Sequence, residues 1–355
     1  MNSKLSVRGA LLWSFGERYA SLIITVASTM ILARVLTPAQ IGVFSLCAAV
    51  VAVAGILRDF GISEYLIQEK DLTRDKMRAA FTLALIIAWT IAIIVFALRN
   101  VIADYYAEKG VAEVLAVLSL NFVILPFASP AFALLNREMA FRKIFAAQIT
   151  SNAIHAATSI TLAVLGYSYM SLAWASVAST LMQTVLLGFL RPRESFLQPG
   201  LKDAQTVLAY GSMFVTSRVI ETFTRNAHEF IIAKQFGFIS VGLFSRAFGL
   251  IDLFYTNFTS AMLRVTTPLF ANDHRGGNDL PSRYASGTSV LTVFACTFLG
   301  YLALMSNEII LVLFGPQWGA AAPVASMLAL SAFPNYLVTL GPSLLAATGH
   351  VKRRL

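Results

Sequence analysis

Ten apolar runs dominate this chain, at 10–33, 41–57, 79–98, 113–135, 144–165, 168–190, 207–232, 241–263, 286–305 and 320–347. Each is close to the length of about twenty residues that a helix needs to cross a bilayer. In hydrocarbon every backbone N–H and C=O must be satisfied within its own element or in a closed barrel. A barrel would show apolar and polar residues alternating in segments of about ten, whereas these runs are continuous. The pattern predicts an all-α polytopic membrane protein of about ten transmembrane helices. Composition agrees: 57% of residues are hydrophobic, 13% are charged, and the mean hydropathy is +0.71.

The first run follows Lys4 and Arg8, as a signal peptide would. It is too long for an h-region, carries Glu17 and Arg18, and ends at Ala33 and Arg34 without a small-x-small cleavage site. It reads as a retained first helix. Cys47 and Cys296 both fall inside apolar runs, where cysteine behaves as a small packing residue. No disulfide, metal or cofactor is expected.

Lysines and arginines are distributed unevenly between the two sides. If the N-terminus is cytoplasmic, nineteen lie in cytoplasmic segments, among them Arg58 to Arg78, Arg137, Arg142 and Lys143, and four lie outside: Arg34, Arg99, Lys109 and Lys234. That is a strong positive-inside asymmetry. It accounts for the net charge of +9 as topology, and no nucleic-acid partner is expected.

Shifting the sequence by 200 positions lays Met30 to Ser45 over Phe230 to Ser245. Ile31, Ala33, Gly42, Phe44 and Ser45 recur as Ile231, Ala233, Gly242, Phe244 and Ser245, and Arg34 is answered by Lys234. Six spans precede the second copy, so both copies enter the membrane from the same side, as parallel repeats about an axis along the membrane normal. The expected organisation is a six-helix lobe over residues 1–200 and a second lobe over 201–355 with four helices, which is incomplete beside the first. A weaker correspondence sets Arg142 and Lys143 over Lys352 and Arg353.

The same shift pairs two arginines inside apolar runs, Arg18 and Arg218. At 100° per residue, Ser14, Glu17, Arg18, Ser21, Thr25, Ser28 and Thr29 share an arc of about 120° on the first helix. Arg218, Glu221, Thr222, Arg225, His228 and Glu229 fill a similar arc on the seventh. One charged residue at mid-helix costs about 2.5–3.5 kcal/mol against lipid, so four would cost on the order of 10 kcal/mol. They must face protein or water. Two uses remain open: an internal ladder of Arg218 with Glu221, Glu221 with Arg225 and Arg225 with Glu229, or the lining of a hydrated cavity. The matched Arg18 and its hydroxyl-rich stripe favour the cavity, with Arg18, Arg218 and Arg225 as anion-binding candidates. Glu17, Glu221, His228, Glu229 and Asp252 are candidates for ion coupling or for polar lining of the cavity. Pro126, Pro130, Pro334 and Pro342 are expected to kink the spans that hold them.

Five segments occur in order along the chain: LARVLTPAQIGVFSL (32–46), DFGISEYLIQEKDLT (59–73), LNREMAFRK (135–143), VGLFSRAFGLIDL (241–253) and LFGPQWGAAAPVASMLAL (313–330). Together they resemble the polysaccharide transporter family of the multidrug/oligosaccharidyl-lipid/polysaccharide (MOP) exporter superfamily, the flippases of the Wzx type. The resemblance implies twelve to fourteen helices in two six-helix lobes around a central cavity. It also implies alternating access, in which an undecaprenyl-diphosphate-linked oligosaccharide moves across the bacterial inner membrane for surface polysaccharide biosynthesis. The partners implied are that lipid-linked oligosaccharide, membrane lipids, and polysaccharide polymerase and export machinery. Against the family pattern, two further helices would be expected after the last run. Guanidinium suits such a substrate, because it offers planar paired donors to a diphosphate and stays protonated. A drug exporter of the same superfamily would favour acidic or aromatic lining. A membrane glycosyltransferase or polymerase would carry a large outer loop or paired carboxylates, and no Asp-x-Asp occurs here.

Overall fold

The computed structural model describes residues 7–190, 199–202, 204–276 and 279–348. All of the regular structure among them is helical. The first six expected spans correspond to α1 (Val7–Val35), α2 (Pro38–Asp59), α4 (Arg74–Tyr106), α5 (Lys109–Ile124) with α6 (Ser129–Arg137), α7 (Phe141–Val164) and α8 (Met170–Leu190), and a short α3 (Ile62–Gln68) links α2 to α4. The rest of the chain forms α9 (Ala204–Phe254), α10 (Ser260–Gly276), α11 (Leu280–Leu304), α12 (Ser306–Phe314), α13 (Ala321–Val338) and α14 (Gly341–Ala347). Among the described residues, seven stretches are long and apolar enough to cross a membrane, and one of them runs from Val219 to Gly276.

Local chemistry explains where the helices start and stop. Thr37 caps α2 in a reciprocal box with Gln40, and Pro38 supplies the pre-set first helical turn. Thr73 caps α4 through the Lys76 N–H. The expected single span over 113–135 is divided: α5 ends in a 3-10 turn at Leu125–Phe127 and the chain resumes as α6. Pro126 and Pro130 each lack an N–H, so each starts a helical segment here instead of bending a continuous one. Conversely, the expected spans over 207–232 and 241–263 follow one another without an intervening loop in α9, which is two helices meeting at a kink. Gly237 divides it, with φ 75° and ψ 176°, a backbone conformation reserved for glycine. Gly237 stands 200 residues from Thr37, so both repeats break at the same register. Tyr255–Thr259 forms a π-helical turn between α9 and α10.

The chain divides into two compact units, Met1–Gly242 and Leu243–Leu355. In the first, α1, α7 and α8 pack in succession, and α5 lies against α2, α4 and α8. Its core joins Leu46, Cys47, Val111, Val114, Leu115, Leu118, Phe122 and Ala173 to Ala233 and Val241 of α9. In the second unit α11 packs on α13, and α10 on α14. Phe254 stacks on Phe298 with ring centroids 4.7 Å apart and meets the edge of Tyr336 at 5.7 Å.

Candidate functional site

The recurrent sequence segments turn out to be joints. Arg137 of the third segment donates to the carbonyls of Leu66 (3.1 Å) and Lys70 (3.2 Å) and also reaches that of Glu69. One guanidinium thus satisfies the carbonyls left open at the end of α3 and in the turn that follows it, in the second segment. Beside it Lys76 Nζ lies 2.7 Å from Glu69 Oε1, and this bond holds the Glu69 carboxyl below the usual carboxylate range. Arg58 pairs with Asp59 at the adjoining end of α2. In the second unit, Arg246 of the fourth segment lies over Phe314 and Trp318 of the fifth, 5.7 and 5.5 Å from the ring centroids. Trp318 is fully buried, and the Arg246 Nε has no hydrogen-bond acceptor among the described residues. Arg246 falls inside the apolar run 241–263, and only the fold shows its aromatic partners.

The polar stripes occupy the middle of α1 and α9. Glu17 and Arg18 belong to α1 and Arg218 to α9, and the side chains of all three lie outside the described residues. Glu221 and Arg225 are exposed and one helical turn apart on α9. Further along, the Glu229 side chain is buried, with Oε1 3.6 Å from His228 Nε2 and Oε2 without a hydrogen-bond partner among the described residues. Asp252, in the second unit, is half-buried, and its carbonyl accepts a 2.7 Å bond from Thr256 Oγ1.

The α1 stripe has a second use that the helical wheel did not show. Asn152 Nδ2 of α7 donates to Ser21 Oγ at 2.9 Å. The chain of amides continues from Gln148 to Asn152 (3.4 Å) and from Gln183 of α8 to Gln148 (3.1 Å). This is polar glue between helices, where apolar burial supplies little drive in lipid. Ser28 is buried and bonds back to the Thr25 carbonyl at 3.0 Å. Part of the hydroxyl stripe therefore packs, while the α9 stripe keeps Glu221 and Arg225 exposed. Among the described residues no group of three or more His, Cys, Asp or Glu could hold a metal.

The fold is that of MOP-superfamily transporters. The solved lipid II flippase MurJ, in an inward closed conformation, superposes with a TM-score of 0.76 at 13% identity, over 96% of this chain and 76% of that one. An inward-facing multidrug resistance MATE family transporter of the MOP superfamily gives 0.73 at 14% identity, over 94% and 82%. Residues 31–323 match the polysaccharide biosynthesis protein family, and the chain belongs to it. It is 24% identical to the lipopolysaccharide biosynthesis protein WzxC of Escherichia coli (strain K12), over 84% of this chain. The chain spans about three fifths of the length of that relative, 61%. It is a multi-pass membrane protein of the polysaccharide biosynthesis protein family.

Proposed function

We propose that the protein moves an undecaprenyl-diphosphate-linked oligosaccharide from the cytoplasmic to the outer leaflet of the bacterial inner membrane by alternating access. The observation that carries this reading is the charged stripe of α9, where Arg225 and Glu221 stand exposed at mid-span in a chain of this family. A guanidinium at that depth is tolerable beside water, an anion or a paired protein group, and not against lipid alone. Arg218 lies two turns away on the same face, and Arg18 is its repeat partner on α1. Together they would offer a diphosphate several charge-assisted donors while the polyprenyl tail stays in the bilayer. Glu17, Glu221, His228, Glu229 and Asp252 would supply the acidic and polar lining and the groups for ion coupling. No bond of the substrate is made or broken.

In this reading residues 1–200 form one lobe and 201–355 belong to the other, with the N-terminus in the cytoplasm as the lysine and arginine distribution requires. Polymerase and export machinery would take over the glycan on the far side. The test is transfer of a diphosphate-linked lipid between leaflets of vesicles carrying the full-length protein. Transfer well above protein-free vesicles supports the reading, and equality with them overturns it. Reporter fusions after Lys76, Arg142 and Lys202 should report cytoplasm and those near Lys109 and Lys234 the outside. A cytoplasmic signal at Lys109 would refute the orientation.

A further inference from the structure

Tyrosines and carboxylates gather where α4 passes into α5 and α7 into α8, within the first compact unit. The lysine and arginine distribution assigns this end to the outside. Two similar turns build it. At the end of α4, Ala107 is left-handed (φ 54°) and donates to the Asp104 carbonyl at 3.2 Å, and Glu108 N–H donates to that of Ala103 at 3.1 Å. At the end of α7, Gly166 (φ 87°) donates to Ala163 at 3.1 Å and Tyr167 N–H to Leu162 at 3.0 Å. Both are doubly bonded turns that close a helix. Ser168 is left-handed as well, with φ 54°, and its carbonyl accepts from Ser171 Oγ at 2.6 Å and Ser171 N–H at 3.1 Å. Tyr167 thus stands between two left-handed residues, in a fixed turn, with 53% of its surface exposed.

The neighbouring side chains are held just as firmly. Tyr169 lies against the first turn of α5, where a Cβ on Gly110 would sit 2.8 Å from its Cζ and 2.9 Å from its hydroxyl oxygen. Its hydroxyl donates to Glu113 Oε2 at 3.1 Å, and Glu108 Oε1 accepts from the Gly110 N–H at 3.2 Å. Burial first, then Glu113 and the charge of Glu108, raise the Tyr169 pKa, so the phenol stays a donor. Residues 104–113 carry Asp104, Glu108 and Glu113 against Lys109 alone, and Asp104 and Glu113 are exposed. Lys234 is already engaged, 2.6 Å from the Tyr105 carbonyl and 4.1 Å from the centre of its ring.

We propose that Tyr167, Tyr169, Glu108 and Glu113 form a contact for uncharged sugars of the glycan on the outer side, apart from the arginine stripes. The inference rests on the flippase reading above. A tyrosine ring offers a rigid apolar face with a polar tip, which suits the C–H face of a pyranose. An ionised carboxylate only accepts, with two oxygens, and neighbouring sugar hydroxyls supply donors in pairs. Tyrosines that merely mark the bilayer boundary have no use for a carboxylate on the phenol, whereas Tyr169 is bonded to Glu113 and flanked by Glu108. A phosphate headgroup is a poor alternative, because three carboxylates against one lysine repel it. Left-handed residues other than glycine recur where a fold fixes a ligand contact, and Ser168 stands at that point beside Tyr167.

The test uses the full-length protein in bilayer nanodiscs of zwitterionic lipid. The probe is the oligosaccharide repeat released by mild acid from the producing strain's surface polysaccharide, without lipid or diphosphate, and saturation-transfer NMR reads its binding. Tyr167→Ala and Glu113→Gln should each weaken binding about fivefold, in line with the loss of one aromatic or charge-assisted contact. Tyr169→Phe keeps the ring against Gly110 and should cost less, so losses are read on folded protein. Phe189→Ala, at an 84% exposed position near the other end of α8, should leave binding unchanged. Equal binding by the parent and the Tyr167→Ala, Glu113→Gln double variant overturns the proposal, as does a parent that binds no probe. Displacement of the probe by an equal concentration of inorganic phosphate would mark an anion site and also overturn it. If the protein transfers no diphosphate-linked lipid while binding still depends on Tyr167 and Glu113, the flippase reading fails and the glycan contact stands. If transfer proceeds and binding ignores both residues, the contact alone fails.

Discussion

The ends of the two repeats and their middles have diverged by different amounts. Over Ile31–Ser45 and Ile231–Ser245 five residues recur, Gly42 and Gly242 among them, and the repeats touch at those two glycines. At mid-span Ser21 stands where α9 has Glu221, Thr25 where it has Arg225, Ser28 where it has His228 and Thr29 where it has Glu229. Backbone contact across a pseudo-two-fold leaves both copies the same requirement, so both keep glycine. An asymmetric ligand lying between the stripes would make different demands on each side, and the side chains differ accordingly. Stability should therefore depend on the ends and joints, and transport on the middle.

The sharpest way to break that division is Arg137→Ala. Its guanidinium serves several carbonyls at the end of α3, and hydrogen bonds from a charged group contribute about 1.5–3 kcal/mol. The variant should lose about 2–3 kcal/mol of stability, read as a lower thermal midpoint and lower membrane abundance, whereas Arg225→Ala should leave both near the parent and reduce export. Equal destabilisation by the two would erase the contrast. A smaller effect is expected where a stripe residue doubles as packing. In a double-mutant cycle of Ser21→Ala and Asn152→Ala the coupling should be about 0.6 kcal/mol, typical of such bonds in membranes. Zero coupling would return Ser21 to the cavity alone.

The smallest effect should be the pH response of the Glu69–Lys76 pair. Lys76 lowers the Glu69 pKa in the folded state. The pair's contribution is thus fully present above the unfolded value of about 4.3 and fades as pH falls through the lowered folded value. Parent and Lys76→Ala chains should differ modestly in thermal midpoint at neutral pH and converge in acid. A difference that grew on acidification would contradict the assignment.

Much of the fold was legible in the sequence because apolar length is a direct physical signal. The runs at 41–57 and 144–165 lie within or against α2 and α7 with ends only a few residues apart. The short α3 and α12 escaped because seven or nine residues are too few to span a bilayer, so a reading by spanning length passes over them. The split at Pro126 was expected as a kink because sequence alone does not say whether neighbouring helices will hold the chain straight across a missing N–H. The site was less legible. A helical wheel placed Ser21 on a polar arc, yet only the fold reveals Asn152 against it, and the aromatic partners of Arg246 lie about seventy residues away in sequence. The Gly42–Gly242 repeat was visible as a match of letters; that the two glycines touch was not.

Lipid binding tests most directly whether the matched Arg18 and Arg218 form an anion site. Purified full-length protein should retain undecaprenyl diphosphate over undecaprenyl alcohol by at least about tenfold, about 1.4 kcal/mol. Arg18→Ala and Arg218→Ala should each weaken that preference, lysine at either position should restore it only in part because the planar fork is lost, and the double alanine variant should bind the two lipids alike. An undiminished preference for the diphosphate in the double variant would contradict the account.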